Sequence, residues 1–210
     1  MPKQQIEEFG WSAVPRNRTN IPSADDAKTY AIAVNLGDIW PNTEVVKKAQ
    51  EYAKKELSKE TYNHSLRVYC YGTHNTLLNR SKSTPIIHPF PQPSNTSQGH
   101  TIVSQHFPSW ISSKFFETWA LTCLFHDIGT TSSNRSATHL SFEFQGGFIA
   151  LTKLQDFGAP VAQAESVAEA IIRHQDPGET GTVSRMVQLV QITTEFGTCK
   201  SPCPTIFSLS

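Results

Sequence analysis

Three side chains in this 210-residue sequence are of types that together hold a divalent cation: His64 and the adjacent pair His126-Asp127. Imidazole nitrogen and carboxylate oxygen suit Zn2+, and also Fe2+, provided the ligands are deprotonated and held rigidly. A His-Asp dipeptide alone is a weak signal, because it arises by chance and also as a satisfied core histidine. Here it closes the run Phe115-Phe116-x-x-Trp119-Ala120-Leu121-x-Cys123-Leu124-Phe125. Asp127 therefore follows directly on apolar residues, where an unpaired carboxylate is costly to bury. A bound cation removes that cost, so His64, His126 and Asp127 are the expected metal ligands.

Helices must position these groups. Asn42 or Thr43 caps a first helix, in which Val45, Val46, Ala49, Tyr52, Ala53 and Leu57 share one face. A second helix begins after Thr61 and carries His64. The apolar helix over 114–128 ends at His126-Asp127-Ile128-Gly129, with Gly129 placed as a helix-terminating glycine. A fourth is expected over 136–153, with Leu140, Phe144, Phe148 and Leu151 in register. A fifth covers 161–175, its stripe formed by Ala164, Val167, Ala168, Ile171 and Ile172. A last helix runs from Ser184 to Phe196. Residues 1–42 read as an irregular lead-in broken by Pro15, Pro22 and Pro41. No strand alternation stands out, so the expected fold class is all-α, with the core unit over 43–197.

Two segments interrupt this pattern. Residues 73–99 carry Pro85, Pro89, Pro91 and Pro93 and split what reads as one helix, and residues 198–210 stop the last helix abruptly. Long structureless loops inside compact domains are uncommon. Both segments start just after a glycine, as Gly72-Thr73 and Gly197-Thr198, and a Gly-Thr pair can be encoded around a splice-donor GT. Translated intron sequence is the expectation for both, against an ordinary surface loop and tail. Without 73–99, His64 and His126 stand at a natural separation for ligands on successive helices.

The bulk numbers narrow the class of function. Lys+Arg 18 balances Asp+Glu 18 for a formal net charge of +0. No basic surplus is present to bind a phosphate backbone, which points to a small-molecule substrate and away from nucleic acid. The first ten residues are polar and include Glu7 and Glu8, where a secretory leader needs an apolar run. With no membrane-spanning apolar stretch and with Cys70 and Cys123 set in apolar helices as reduced thiols, a cytoplasmic setting is expected. Cys199-x-x-x-Cys203 lacks the second half of a zinc site. Homo-oligomerisation is left open.

Four sequence pieces, in order, resemble the cyanamide hydratase branch of the HD-domain superfamily, as found in fungi. They are Asn63-His64-Ser65-Leu66-Arg67-Val68, His126-Asp127-Ile128-Gly129-Thr130-Thr131, Ser141-Phe142-Glu143-x-x-Gly146-Gly147 and Ala170-Ile171-Ile172-Arg173-His174-Gln175-Asp176. Phe9-Gly10-Trp11-x-x-Val14-Pro15-Arg16 is similar to that branch's lead-in. The resemblance covers nearly all of the chain outside 73–99 and 198–210. It implies an HD-type helical bundle that, in this chain, is incomplete at its C-terminus, and a metal-dependent hydro-lyase converting cyanamide to urea. The metal would lower the pKa of a bound water to ~7, giving a hydroxide that attacks the nitrile carbon. His174 becomes the candidate proton donor, as against a solvent-facing helix-end histidine. Glu143 and Arg135 stand equally open as site residues or surface charges. Phe125, Phe142 and Phe144 are candidate walls of a small pocket.

The family motif adds a fourth ligand, an Asp on the last core helix after a pair of threonines. In this chain Gln191-Ile192-Thr193-Thr194-Glu195-Phe196 leads instead to Gly197. Glu195 lies about 200° around a helix from that position at 3.6 residues per turn, so it substitutes poorly. The chain is thus expected to hold metal through three ligands, with its activity in question. Two other readings stand beside the hydratase. One is an HD-type nucleotide phosphohydrolase using Arg67, Arg135 and Arg173 to grip phosphate. The other is a catalytically inactive HD protein.

Overall fold

The architecture, from a computed structural model, is described for residues 2–16, 39–73, 112–176 and 178–198. Its centre is the apolar segment ending at His126. Ser112 caps this helix, its hydroxyl accepting from the Phe115 N–H at 3.0 Å. From Glu117 to Phe125 every residue is buried, so the helix has no polar face and must be surrounded by others. Burying a side chain the size of Leu124 or Phe125 contributes about 1.5–3 kcal/mol each.

In chain order the elements are α1 (Lys3–Glu8), β1 (Ala13–Pro15), α2 (Glu44–Glu56), α3 (Lys59–Thr73), α4 (Ser113–Phe125), a 3-10 turn (Ile128–Thr130), α5 (Ser132–Ser136), α6 (Phe142–Asp156), α7 (Val161–Arg173), β2 (Thr182–Ser184) and α8 (Arg185–Thr198). The fold is all-α, with one short ribbon in which β1 pairs antiparallel with β2, Val14 opposite Val183. Helices α2, α3, α6 and α7 pack around α4, and α8 packs against α3 and α7. Among the described residues no helix is long and apolar enough to cross a membrane.

Thr43 is the N-cap of α2, and the periodic face is buried as expected at Val46, Ala49 and Ala53. The α7 stripe is buried at Ala164, Val167, Ala168 and Ile171. Four local expectations are corrected. The lead-in is not wholly irregular, since it holds α1 and β1; elements of six and three residues are too short to leave a periodic pattern. The second helix starts earlier than expected, at Lys59.

Gly129 does not terminate α4. His126 does so in a right-handed conformation, and Gly129 lies in the 3-10 turn, where a Cβ would overlap the Phe142 carbonyl. The glycine therefore permits close approach of α6 to the end of α4 rather than a left-handed turn. The α6 stripe is also largely reversed, Leu151 alone of its four residues being partly buried against the core. Leu140, Phe144 and Phe148 are 49%, 46% and 49% exposed, while Gly146, Gly147, Ala150 and Leu154 face the core. With two glycines on one face, the backbone of α6 seats directly against Ile171 and Ile172 of α7, which forces the larger residues outward. Residues 74–99 of the proposed insert and all of 199–210 lie outside the described residues, as do His74, His88, His100, His106, Cys199 and Cys203.

Candidate metal site

Three elements deliver the expected ligands to one point. α3 presents His64 beside its buried face of Ser65, Leu66, Val68 and Tyr69. The end of α4 presents His126, 1% exposed, and the turn that follows presents Asp127. One donor atom from each of the three lies within 4.8 Å of the others. The Asp127 carboxylate oxygen is 3.2 Å from His126 Nε2 and 3.7 Å from His64 Nε2. Four ligands set tetrahedrally at 2.0–2.1 Å from a zinc ion stand about 3.3 Å apart, so these spacings fit one ion among them.

The histidines are oriented for this task. His126 Nδ1 lies 2.8 Å from the Cys123 carbonyl, an acceptor, so Nδ1 carries the proton and Nε2 turns its lone pair inward. That Nε2 is buried and makes no aligned hydrogen bond, although Asp127 is near enough for an ion pair. Burial opposes charge on His126, but the neighbouring Asp127 carboxylate and the Cys123 carbonyl outweigh it and raise its pKa. Burial would likewise raise Asp127; the His126 charge first, then His64 and His174, hold it instead at about 2. A carboxylate ionised at every physiological pH, beside two imidazole nitrogens, is a donor set that could hold a divalent cation.

His174 enters from the end of α7. It is 4% exposed, and its ring meets His126 edge to face with centroids 5.6 Å apart. Its Nδ1 lies 2.6 Å from the Ile171 carbonyl, which fixes the proton there, and its Nε2 is buried with no hydrogen-bond partner. Burial first, and the positive charge of His126 second, lower its pKa below the usual histidine value, against weaker opposing effects of the Ile171 carbonyl, Asp127 and Glu143. His174 is thus a neutral imidazole with a bare Nε2 next to the donor cluster.

The remaining candidates separate. Glu143 is half-buried in the first turn of α6, near enough for its charge to act on His174. Arg135 is exposed in the last turn of α5. Phe142 lies against His174 with ring centroids 5.7 Å apart. Phe125 instead stacks on Tyr52 within the core, and Phe144 is on the outer face against Phe148. His139 is exposed. Gly197 is in the helical part of α8 and offers no side chain as a ligand.

Comparison with characterised proteins decides the family. The chain is 31% identical over 191 residues, 90% of its own length and 70% of theirs, to the cyanamide hydratases DDI2 and DDI3 of Saccharomyces cerevisiae. No protein-family model matches it. The chain belongs to the cyanamide hydratase family. Within this family member, the cluster of His64, His126, Asp127 and His174 combines buried ionisable groups with orphaned nitrogens.

Sequence reasoning missed several buried polar groups that tie the elements together. Gln188 and Gln191 are 7% and 8% exposed on the buried side of α8, and both donate to backbone carbonyls, Gln188 to Pro15 and Gln191 to Arg173 and Asp176. Two amides among Met186, Val187, Leu189, Val190 and Ile192 were the available signal, since a polar side chain on an apolar face needs a partner. Glu117 and Gln163 were likewise hidden inside apolar stripes. They bond to each other at 2.9 Å and fasten α7 to α4.

Proposed function

We propose that this chain hydrates cyanamide to urea at a divalent metal site held by His64, His126 and Asp127. The observation that carries the reading is the convergence of those three donors beside His174, in a chain of the cyanamide hydratase family. Zinc is the proposed ion, with Fe2+ the other candidate for such nitrogen and oxygen donors. When bound, the cation supplies the Lewis acidity that makes water nucleophilic near neutral pH.

The protein's own groups account for the rest. Neutral His174, its Nδ1 proton committed to Ile171, takes up through Nε2 the proton released as water adds to the nitrile carbon. The same Nε2 returns it to the nitrile nitrogen as that atom gains charge, and the resulting isourea tautomerises to urea. Water and cyanamide are thereby consumed one for one, and His174 ends as it began. Glu143 helps to hold the imidazolium while it exists. Phe142, whose ring lies against His174, is the proposed wall beside a substrate of three heavy atoms. Arg135 is retained as a candidate catalytic residue, exposed in the last turn of α5.

The bundle is read as the HD type, with 43–197 as the catalytic unit and a cytoplasmic setting. Residues 73–99 and 198–210 are read as translated intron sequence; a mature transcript that keeps both as its major form refutes this. The phosphohydrolase reading loses support, because Arg173 is engaged by Glu169 at 3.3 Å and Asp176 at 3.5 Å. The deciding experiment measures metal content, urea formation from cyanamide and phosphate release from nucleotides on the same preparation. Urea formation that tracks zinc content supports the assignment. Zinc-loaded protein that makes no urea sinks it.

A further inference from the structure

The lead-in and the His174 helix are far apart in sequence yet joined along their length. Phe9 accepts from the Ser166 hydroxyl at 2.6 Å, and the Trp11 indole donates to the Ala162 carbonyl at 2.8 Å, near the start of α7. At the other end Arg16 donates through one guanidinium nitrogen to the Asp176 carbonyl at 2.6 Å and to its carboxylate at 3.1 Å. The Arg16 side chain is only 13% exposed and lies against Gly178, where a Cβ would overlap the guanidinium. From the opposite side Gln191 donates to the Arg173 and Asp176 carbonyls, at 2.8 and 3.0 Å. The turn 173–176, closed by its own Asp176 N–H to Arg173 carbonyl bond, is therefore gripped on two sides. His174 is inside that turn.

We propose that Arg16 is a positioning residue for His174, acting across the fold by clamping the turn that aims its Nε2 at the cluster of His64, His126 and Asp127. Reactive groups lose rate steeply when misplaced by about 1 Å. His174 has no side-chain anchor other than its bond to Ile171 among the hydrogen bonds described, so the backbone turn sets where the ring points. Arg16 serves better than lysine because, beyond the one nitrogen that bonds the Asp176 carbonyl and carboxylate, the rest of its guanidinium lies against Gly178, a contact that an ammonium lacks. The catalytic part of the inference rests on the function proposed above; the geometric part does not.

The test uses the full-length, zinc-loaded protein with Arg16→Ala, Arg16→Lys and His174→Ala variants. Trp11→Phe, which removes the lead-in anchor to Ala162 at the far end of α7 from the 173–176 turn, is the control. Arg16→Ala should lower kcat about tenfold or more at unchanged zinc content, with KM within about twofold. Arg16→Lys should fall between, and added guanidinium should restore part of the Arg16→Ala loss. In a His174→Ala background Arg16→Ala should cost nothing further, since both act through one ring. Histidine side-chain NMR gives a readout independent of activity: the His174 ring nitrogens should shift in Arg16→Ala and stay in place in Trp11→Phe. Additive losses, equal losses in Arg16→Ala and Trp11→Phe, or unmoved His174 signals each overturn the proposal. If Arg16→Ala does not fold, the same comparisons are read on Arg16→Lys. If the parent protein makes no urea, the functional assignment fails while the NMR comparison still decides the role of Arg16.

Discussion

His126 and His174 meet edge to face at 5.6 Å, and each is tied through Nδ1 to the carbonyl three residues before it, Cys123 in one case and Ile171 in the other. Two helix ends thus use one device to aim an Nε2 inward. The two rings differ in surroundings, since the Asp127 carboxylate stands beside His126 and raises its pKa, while burial and His126 itself lower that of His174. One is suited to be a ligand and the other to handle a proton.

This division predicts that His174→Ala and His174→Gln keep their zinc yet lose rate. A positioned proton-transfer group contributes typically about 10²–10⁴-fold, and a loss of that size in kcat is expected. Metal analysis beside urea kinetics separates the roles. Zinc lost in proportion to activity would make His174 a ligand instead.

The pH dependence of the metal-stripped protein follows from the same pairing. Asp127 has a depressed folded pKa of about 2 against 3.8, so its contribution is complete above 3.8 and disappears as pH falls through about 2. His126 has a raised folded pKa, so its share is complete below 6.5 and disappears as pH rises through the folded value. The stability gap between metal-stripped parent and Asp127→Asn should therefore be greatest between about pH 4 and 6.5, at roughly 2 kcal/mol, and shrink on either side. Urea unfolding across that range measures it. A gap that keeps growing above pH 7.5 would mean that the pair is not what stabilises the apo site.

How much of this could be read in the string differs from residue to residue. The convergence of His64, His126 and Asp127 was legible because metal-ligand chemistry restricts the residue types, and an apolar helix leaves a carboxylate at its end conspicuous. The α7 stripe was legible because its period repeats with small and branched apolar residues. The α6 face was misread because Phe144 and Phe148 outrank Gly146 and Gly147 on any hydrophobicity scale, whereas close backbone approach selects glycine. The Arg16 clamp was invisible for a different reason: nothing local in Pro15-Arg16 names Asp176 as its partner, and only the folded chain brings them to 3.1 Å.

Gly129 provides a test of that close approach. A methyl group there would overlap the Phe142 carbonyl and crowd the Gly146 amide, both of them backbone atoms that cannot swing away. Gly129→Ala should cost about 1–3 kcal/mol by forcing α6 off the end of α4. Because α6 brings Phe142 and Glu143 to His174, kcat should fall beyond what lost folding explains. Thermal melts with kinetics well below the midpoint would show it; unchanged stability would mean that the two segments are not held as closely as described.

Gly197 offers the converse experiment, a gain. α8 stays helical through Thr198 and packs against α3, the helix that carries His64. Position 197 is one turn beyond Thr193, which is fully buried, and residues four apart share a helix face. By helix periodicity an aspartate introduced there would share the helix face of Thr193. Gly197→Asp should add a carboxylate to a donor set of two imidazoles and one carboxylate and tighten zinc about tenfold or more, the scale on which even indirect changes at metal sites act. Gly197→Asn, of nearly the same size but a weaker ligand, should tighten it far less, which separates ligation from a general gain in helix propensity. Competition against a chelator of known affinity gives the number. Equal affinities for Gly197→Asp, Gly197→Asn and the parent would show that position 197 does not reach the ion, and that the three donors already described are the whole of the protein's grip on it.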